Sequence, residues 1–354
     1  MKRFLAMALA VATALSLVAC GGKASPSGSN GSNGGAGSAS TPGSSSAGSG
    51  SSQETSWVPA KDIEFVIPFG AGGGNDIIVR KMIELIEKYD FCPVNIIPVN
   101  KSGGSGVVGY TYLLSKGNGN EYTLSSTSAS FYTQPLTGNS PFTPDETNFS
   151  FVAHMVKDPV VIVANPSLGF HTIQDIVDYA KANPGKLTWG GVGNASDDAI
   201  IMYMLNDIAG IELTYVPYDD AGLLQAAVLG GHIDLSVNSL AEAQEHMTAG
   251  TMTAIAACAD QRLSGLPDLP TTMEEGFDIA HQQSRGIVMN PGVSEDVLAY
   301  YSGLFQKVSE TSEWKEYTET NAMTNAFMPY DEYADYAKDM LADYITYLAM
   351  VPQN

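Results

Sequence analysis

An α/β fold in two domains, each a mostly parallel sheet flanked by helices, is predicted by three observations. Strand-like apolar runs alternate with helical patterns from Trp57 onward, as parallel sheets require. Residues 57–354 exceed what one small core usually holds. Two similar segments, Val160-Val161-Ile162-Val163-Ala164 before Asn165-Pro166 and Gly286-Ile287-Val288-Met289 before Asn290-Pro291, read as crossings between domains. The expected division is 57–159 with 285–354 as a discontinuous first domain and 160–284 as an inserted second.

At the amino end, Lys2 and Arg3 precede an apolar run over 4–19 that is short for a membrane span and has the charge order of an export signal. Residues 1–19 are read as a signal peptide. Leu17-Val18-Ala19-Cys20 resembles a bacterial lipobox, which makes Cys20 the expected lipid attachment site. Residues 21–56 are almost wholly Gly, Ser, Ala, Asn, Pro and Thr. Such a composition has nothing to bury and reads as a tether.

The first folded segment is the most informative. Ile63, Phe65, Val66 and Ile67 make a buried strand, the turn from Phe69 to Gly74 is glycine-rich, and Ile77, Ile78, Met82, Leu85 and Ile86 follow at helical spacing. Asn75 or Asp76 is expected as N-cap. A strand, glycine turn and helix start point free N–H groups and a positive helix end at one place, which suits an anion. The nucleotide-binding P-loop needs Lys and Ser/Thr after its last glycine, and Asn75-Asp76 stands there instead. Phe69, Gly70, Ala71, Gly72, Gly73, Asn75 and Asp76 are therefore candidate ligand-binding residues.

Further strands are expected over 94–99, 122–126, 160–164, 187–189, 213–216, 233–237 and 252–257. After residues 122–126 come Thr127, Ser128, Ala129 and Ser130, whose hydroxyls can donate to a carboxylate. After 187–189, the run from Gly190 through Gly193, Asn194, Ala195, Ser196, Asp197 and Asp198 leads into a helical pattern and repeats the logic of the first loop. Glycine-rich helix starts facing one cleft from two domains could grip both ends of a small dianion. The carboxyl end changes character, with helices expected over 294–309, 311–320 and 330–350.

Other chemistry is scarce. Cys92 and Cys258 lie far apart without CxxC spacing, and the five histidines show no HExxH pairing, so neither metal nor cofactor is expected. GxSxG is absent, and Ser312-Glu313-Trp314-Lys315 matches SxxK without companion motifs, so no enzyme is expected. The formal charge of −21 disfavours nucleic acid and anionic lipid surfaces as partners.

In combination, several short motifs resemble those of the substrate-binding proteins of tripartite tricarboxylate transporters, the Bug or TctC-type receptors. They are Val66-Ile67-Pro68-Phe69 through Gly73 and Asp76, the stretches 100–109 and 163–168, Pro184-Gly185-Lys186-Leu187, Val216-Pro217-Tyr218, 230–235 and Leu266-Pro267-Asp268-Leu269-Pro270-Thr271. The resemblance implies a type II periplasmic-binding-protein-like clamshell without catalysis. It would deliver a small organic acid to the large and small membrane subunits of a permease; with the export signal and the lipobox at Cys20, an extracytoplasmic, lipid-anchored monomer is expected. A sensor that signals to a membrane kinase is the alternative.

The resemblance also implies that the first loop, Phe69 to Asp76, clasps a carboxylate and that the loop from Gly190 to Asp198 closes on the other end. Where the family commonly has His and Lys, this chain has Asp198 and Asp219. Either the acids stabilise helix starts, or the ligand carries an ammonium, a chelated metal or less negative charge at that end. Asn238 and Arg285 complete the candidate set; Arg285 would fork onto a carboxylate or form a hinge ion pair.

Overall fold

The computed structural model describes residues 57–349. The expected signal, Cys20 and tether lie outside them. The first elements are β1 (Ile63–Ile67), α1 (Gly74–Lys88), β2 (Ile96–Asn100), α2 (Val107–Leu114), β3 (Thr123–Ser126) and α3 (Ala129–Leu136). β1 is parallel to both β2 and β3. Its apolar residues are fully buried, which is why the strand reads as a continuous apolar run rather than an alternating one.

β4 (Ser150–Ala164) is the longest strand and changes partners along its length. Ser150 to Pro159 pairs antiparallel with β9 (Gln282–Met289), whereas Val160 to Ala164 pairs with β7 (Leu235–Ser239) and β8 (Thr253–Ala257). The segment over 160–164 is therefore the second part of a strand twice the expected length or more. It does not pair with Gly286 to Met289, whose partners are β3 and the start of β4.

Between β4 and β9 the chain adds α4 (Ile173–Ala182), β5 (Thr188–Val192), α5 (Asp197–Ala209), β6 (Thr214–Tyr218), α6 (Ala221–Leu229), β7, α7 (Leu240–Thr248) and β8. β5 is parallel to β6 and β7, which repeats the parallel core of the first half. After β9 come α8 (Glu295–Glu310), α9 (Ser312–Thr320), β10 (Thr324–Met328) and α10 (Tyr330–Leu348). β10, which the sequence reading did not anticipate, pairs antiparallel with the first part of β4.

The strand order β2-β1-β3-β9-β4-β7-β5-β6 thus joins two parallel groups through the antiparallel pair β9 and β4. Each group has its own core. Phe65, Ile83, Leu85, Phe305 and Trp314 pack in the first, and Phe170, Ile176, Trp189, Met202 and Leu205 in the second. The chain is an α/β protein of curled-sheet type.

Candidate functional site

Between the two strand groups lies a cavity of about 80 Å³. It sits where the strands of both groups end and the helices after them begin. Its walls take Gly73, Gly74 and Asn75 from α1 and its cap, Ser128, Ala129 and Ser130 from α3, and Ser196, Asp197 and Asp198 from α5. Ala221 and Leu224 of α6 and Glu242 of α7 complete the set of helix starts. First-turn N–H groups have no acceptor within their own helix, so each start presents donors and a partial positive charge.

The first loop is braced from behind. Gly72 adopts φ +84°, a turn that a side chain would strain, and its N–H donates to Asp76 Oδ2 at 2.9 Å. Asp76 Oδ1 accepts from Arg80 Nε at 2.8 Å and from Asn100 Nδ2 at 3.0 Å. Burial alone would raise the Asp76 carboxyl; these hydrogen bonds from Arg80, Gly72 and Asn100 hold it below its ordinary value. Asp76 therefore fastens the loop and does not line the cavity. The N-cap is Gly73, two or three residues earlier than expected, because α1 starts at Gly74 and the caps anticipated at Asn75 and Asp76 are already inside it.

Gly74 is the focus of the first wall. Its N–H donates to Glu242 Oε1 at 2.6 Å. A Cβ on Gly74 would come within 2.5 Å of Arg285 Nη2, so only glycine lets the guanidinium lie this close to the helix start. Arg285, on β9, is 5 % exposed and donates from Nε to Asp158 Oδ2 at 2.7 Å and from Nη2 to Gln283 Oε1 at 2.5 Å. The Asn75 amide, turned so that its oxygen accepts from Arg285 Nη1 at 3.2 Å, donates to Thr127 O and Ser126 Oγ. Asp158 is wholly buried; burial pushes its carboxyl up against the pull of Arg285. Arg285 is thus both a cavity residue and half of a buried ion pair.

The second wall is acidic. Asp198 Oδ2 accepts from Val192 N–H at 2.7 Å and from Ser196 Oγ at 3.2 Å. Burial pushes its carboxyl up to about 7, and the charges of Asp197 and Glu242 act in the same direction. Asp197 accepts from His281 Nε2 at 2.5 Å and from Tyr344 OH at 3.0 Å, which ties α5 to α10. Glu242 Oε2 accepts from Ser239 N–H at 3.1 Å and Ser239 Oγ at 2.9 Å, so one carboxylate caps α7 and reaches α1. Asn238 accepts from Ser236 Oγ at 2.9 Å and faces the cavity beside it.

Several candidates stand elsewhere. Gly70 lies against Asp220, and Ala71 and Gly72 are exposed. Thr127 Oγ1 is used at 3.0 Å by Tyr333 OH and by Gly286 N–H. Gly193 O accepts from Tyr215 OH, Asn194 is exposed, and Ala195 packs in the aromatic cluster of Tyr110, Phe131 and Tyr132. Asp219 is exposed, and its neighbour Asp220 instead caps α6 by accepting from Leu223 N–H at 3.0 Å. Glu242 and Gln283 were missed. The Ser239-Leu240-Ala241-Glu242 capping pattern and the period of two that puts Gln283 on the face of Arg285 were the available signals. Among the described residues no group of His, Cys, Asp and Glu is placed to hold a metal ion.

A family model described as tripartite tricarboxylate transporter family receptor matches residues 78–347. The chain belongs to that family. Membership places this receptor among extracytoplasmic solute-binding proteins, which are not enzymes. The UPF0065 protein in gbd 5'region of Cupriavidus necator is 26% identical over 281 residues, 79% of this chain and 84% of that one. Two solved structures share the fold. A Rhodopseudomonas palustris protein with adipate has a TM-score of 0.77 at 18% identity, covering 83% of this chain and 98% of its own. MatC from Rhodopseudomonas palustris with bound malate has a TM-score of 0.72 at 18% identity, covering 82% and 99%. No described helix is long and apolar enough to cross a membrane.

Proposed function

We propose that this receptor captures a small carboxylate-bearing ligand in the cavity between its two strand groups and delivers it to a tripartite tricarboxylate-type membrane permease. The observation that carries the reading is the convergence of the α1 and α3 starts with Arg285 on one cavity, with no carboxylate from that wall lining it. Such donors favour an anion without needing a metal. Relatives of this fold with adipate and with malate support a carboxylate as the ligand.

In this reading Phe69, Gly73, Asn75, Ser128, Ala129, Ser130 and Arg285 hold the carboxylate, and Ser196, Asp198 and Asn238 face its other end. Residues 57–159 with 285–354 move as one domain and 160–284 as the other, closing by rotation about β4 and β9. Lipid on Cys20 keeps the monomer near the permease.

Calorimetric titration with a panel of small carboxylates, amino acids and nitrogen-free acids alike, followed by uptake assays with and without the permease subunits, tests the proposal. Saturable binding of at least one member and receptor-dependent uptake of it are expected. Binding confined to ligands without a carboxylate, or uptake unaffected by loss of the membrane subunits, would overturn it.

A further inference from the structure

The two walls of the cavity differ in charge in a way that selects the ligand. Gly73, Gly74, Asn75, Ser128, Ala129 and Ser130 bring two helix starts to the first wall with no acidic side chain among them. Across from them, the α5 start carries Asp197 and Asp198, the α6 start is capped by Asp220, and the α7 start holds Glu242. Each positive helix end in the second wall is thus answered by its own carboxylate. A second anionic group from a ligand would meet Asp197, Asp198 and Glu242 with no cation from that wall to receive it.

Glu242 supplies the decisive detail. Its carboxylate crosses the cavity and takes the Gly74 N–H at 2.6 Å, the donor that the first wall would otherwise offer to a ligand carboxylate. A protein carboxylate therefore stands in for the ligand's own. A ligand carboxylate arriving there displaces Glu242. Arg285, the cation beside Gly74, is already held by Asp158 and Gln283 and faces the incoming carboxylate, so a Glu242 displaced from Gly74 needs a positive partner of its own. Two further groups await a ligand. Asp198 is 6 % exposed and its Oδ1 has no hydrogen-bond partner among the described residues, and Asn238 is 7 % exposed with its Nδ2 equally unpartnered.

We propose that the ligand of this receptor is a zwitterion, whose carboxylate replaces Glu242 at Gly74 and whose ammonium is held by the released Glu242 together with Asp198. The inference rests on the carboxylate-capture reading and adds the cationic group. Glu242 and Asp198 are then the specificity-determining residues, and a dicarboxylate lacking nitrogen is a poor ligand because it leaves Glu242 displaced and unpaired. Val237 and Leu224 line the same cavity, and an apolar lining strengthens a charge pair relative to water.

Calorimetry on the full receptor with matched pairs separates the two readings. The pairs are L-aspartate against succinate, L-glutamate against glutarate, and γ-aminobutyrate against butyrate. At least one amine-bearing member should bind at least tenfold tighter than its nitrogen-free match. Glu242→Gln keeps the capping pattern, since Gln serves in that box as well. It should weaken the amine-bearing ligand by tenfold or more and tighten the nitrogen-free match. A merely structural role would weaken both. Equal or tighter binding of the nitrogen-free acids overturns the zwitterion while leaving carboxylate capture intact. Binding of neither class overturns both.

Discussion

The first wall of the cavity and the second are built from the same parts, a parallel strand ending in a helix start, yet they offer opposite chemistry. In the first wall the acid of the α1 turn, Asp76, faces backward onto Arg80 and Asn100, leaving the helix start without an acid of its own and open to the distant Glu242. In the second wall Asp198 faces the cavity and Asp220 folds back onto its own helix. The orientation of the local acid decides whether a helix start is answered by its own segment or left to a carboxylate from elsewhere in the chain. Glycine content alone does not make an anion site.

Breaking the cation of the first wall should have the largest effect. Arg285→Ala strands Asp158, which is wholly buried, and should cost about 3–5 kcal/mol of stability. Urea unfolding measures it, and Arg285→Met combined with Asp158→Leu should recover most of the loss because no unpaired charge remains.

The acid of the second wall comes next. Asp198 titrates at about 7 in the folded protein, above its unfolded value, so the folded state holds the extra proton between roughly pH 4 and 7. Stability contributed by this group is therefore full below that window and lost as pH rises through it. Asp158, also raised by burial, acts in the same direction. Asp198→Asn should flatten the decline and be more stable than the wild type at pH 8, by on the order of 4 kcal/mol at roughly 1.4 kcal/mol per pKa unit. Equal pH profiles in chemical denaturation would show that Asp198 is not held up.

Two smaller changes sharpen the contrast. Gly74→Ala places a methyl on the Arg285 guanidinium, which Asp158 prevents from moving freely, and should cost about 1–3 kcal/mol and weaken carboxylate binding. An unchanged melting temperature and affinity would mean that this approach is not a constraint. Asp220→Ala removes the α6 cap, costing about 1 kcal/mol in denaturant titrations, and uncovers a helix start in the second wall. It should therefore raise the affinity for nitrogen-free acids slightly, and a fall would contradict the role assigned to Asp220.

The strand, loop and helix over 63–88 were legible because apolar spacing and glycine clustering are local signals. The cap was misplaced because Gly73 has no side chain to announce it. β10 was missed because Thr324 to Met328 has no buried residue and its apolar run, Ala326 to Met328, is too short to stand out. Ser128, Ala129 and Ser130 were found from their place after a strand. Thr127, one residue earlier, was grouped with them although the strand's alternation turns its side chain to Tyr333.

The sequence by itself determined the α/β class, the family, the two glycine-rich helix starts and the acidity of the second, since these follow from composition and short-range pattern. Only the tertiary structure decided which donors are free. Glu242 meets Gly74 across 168 residues of chain, and Arg285 meets Asp158 across 127. The propensities that make a helix start say nothing about which distant carboxylate will be carried to it when β4 and β9 bring the two strand groups together.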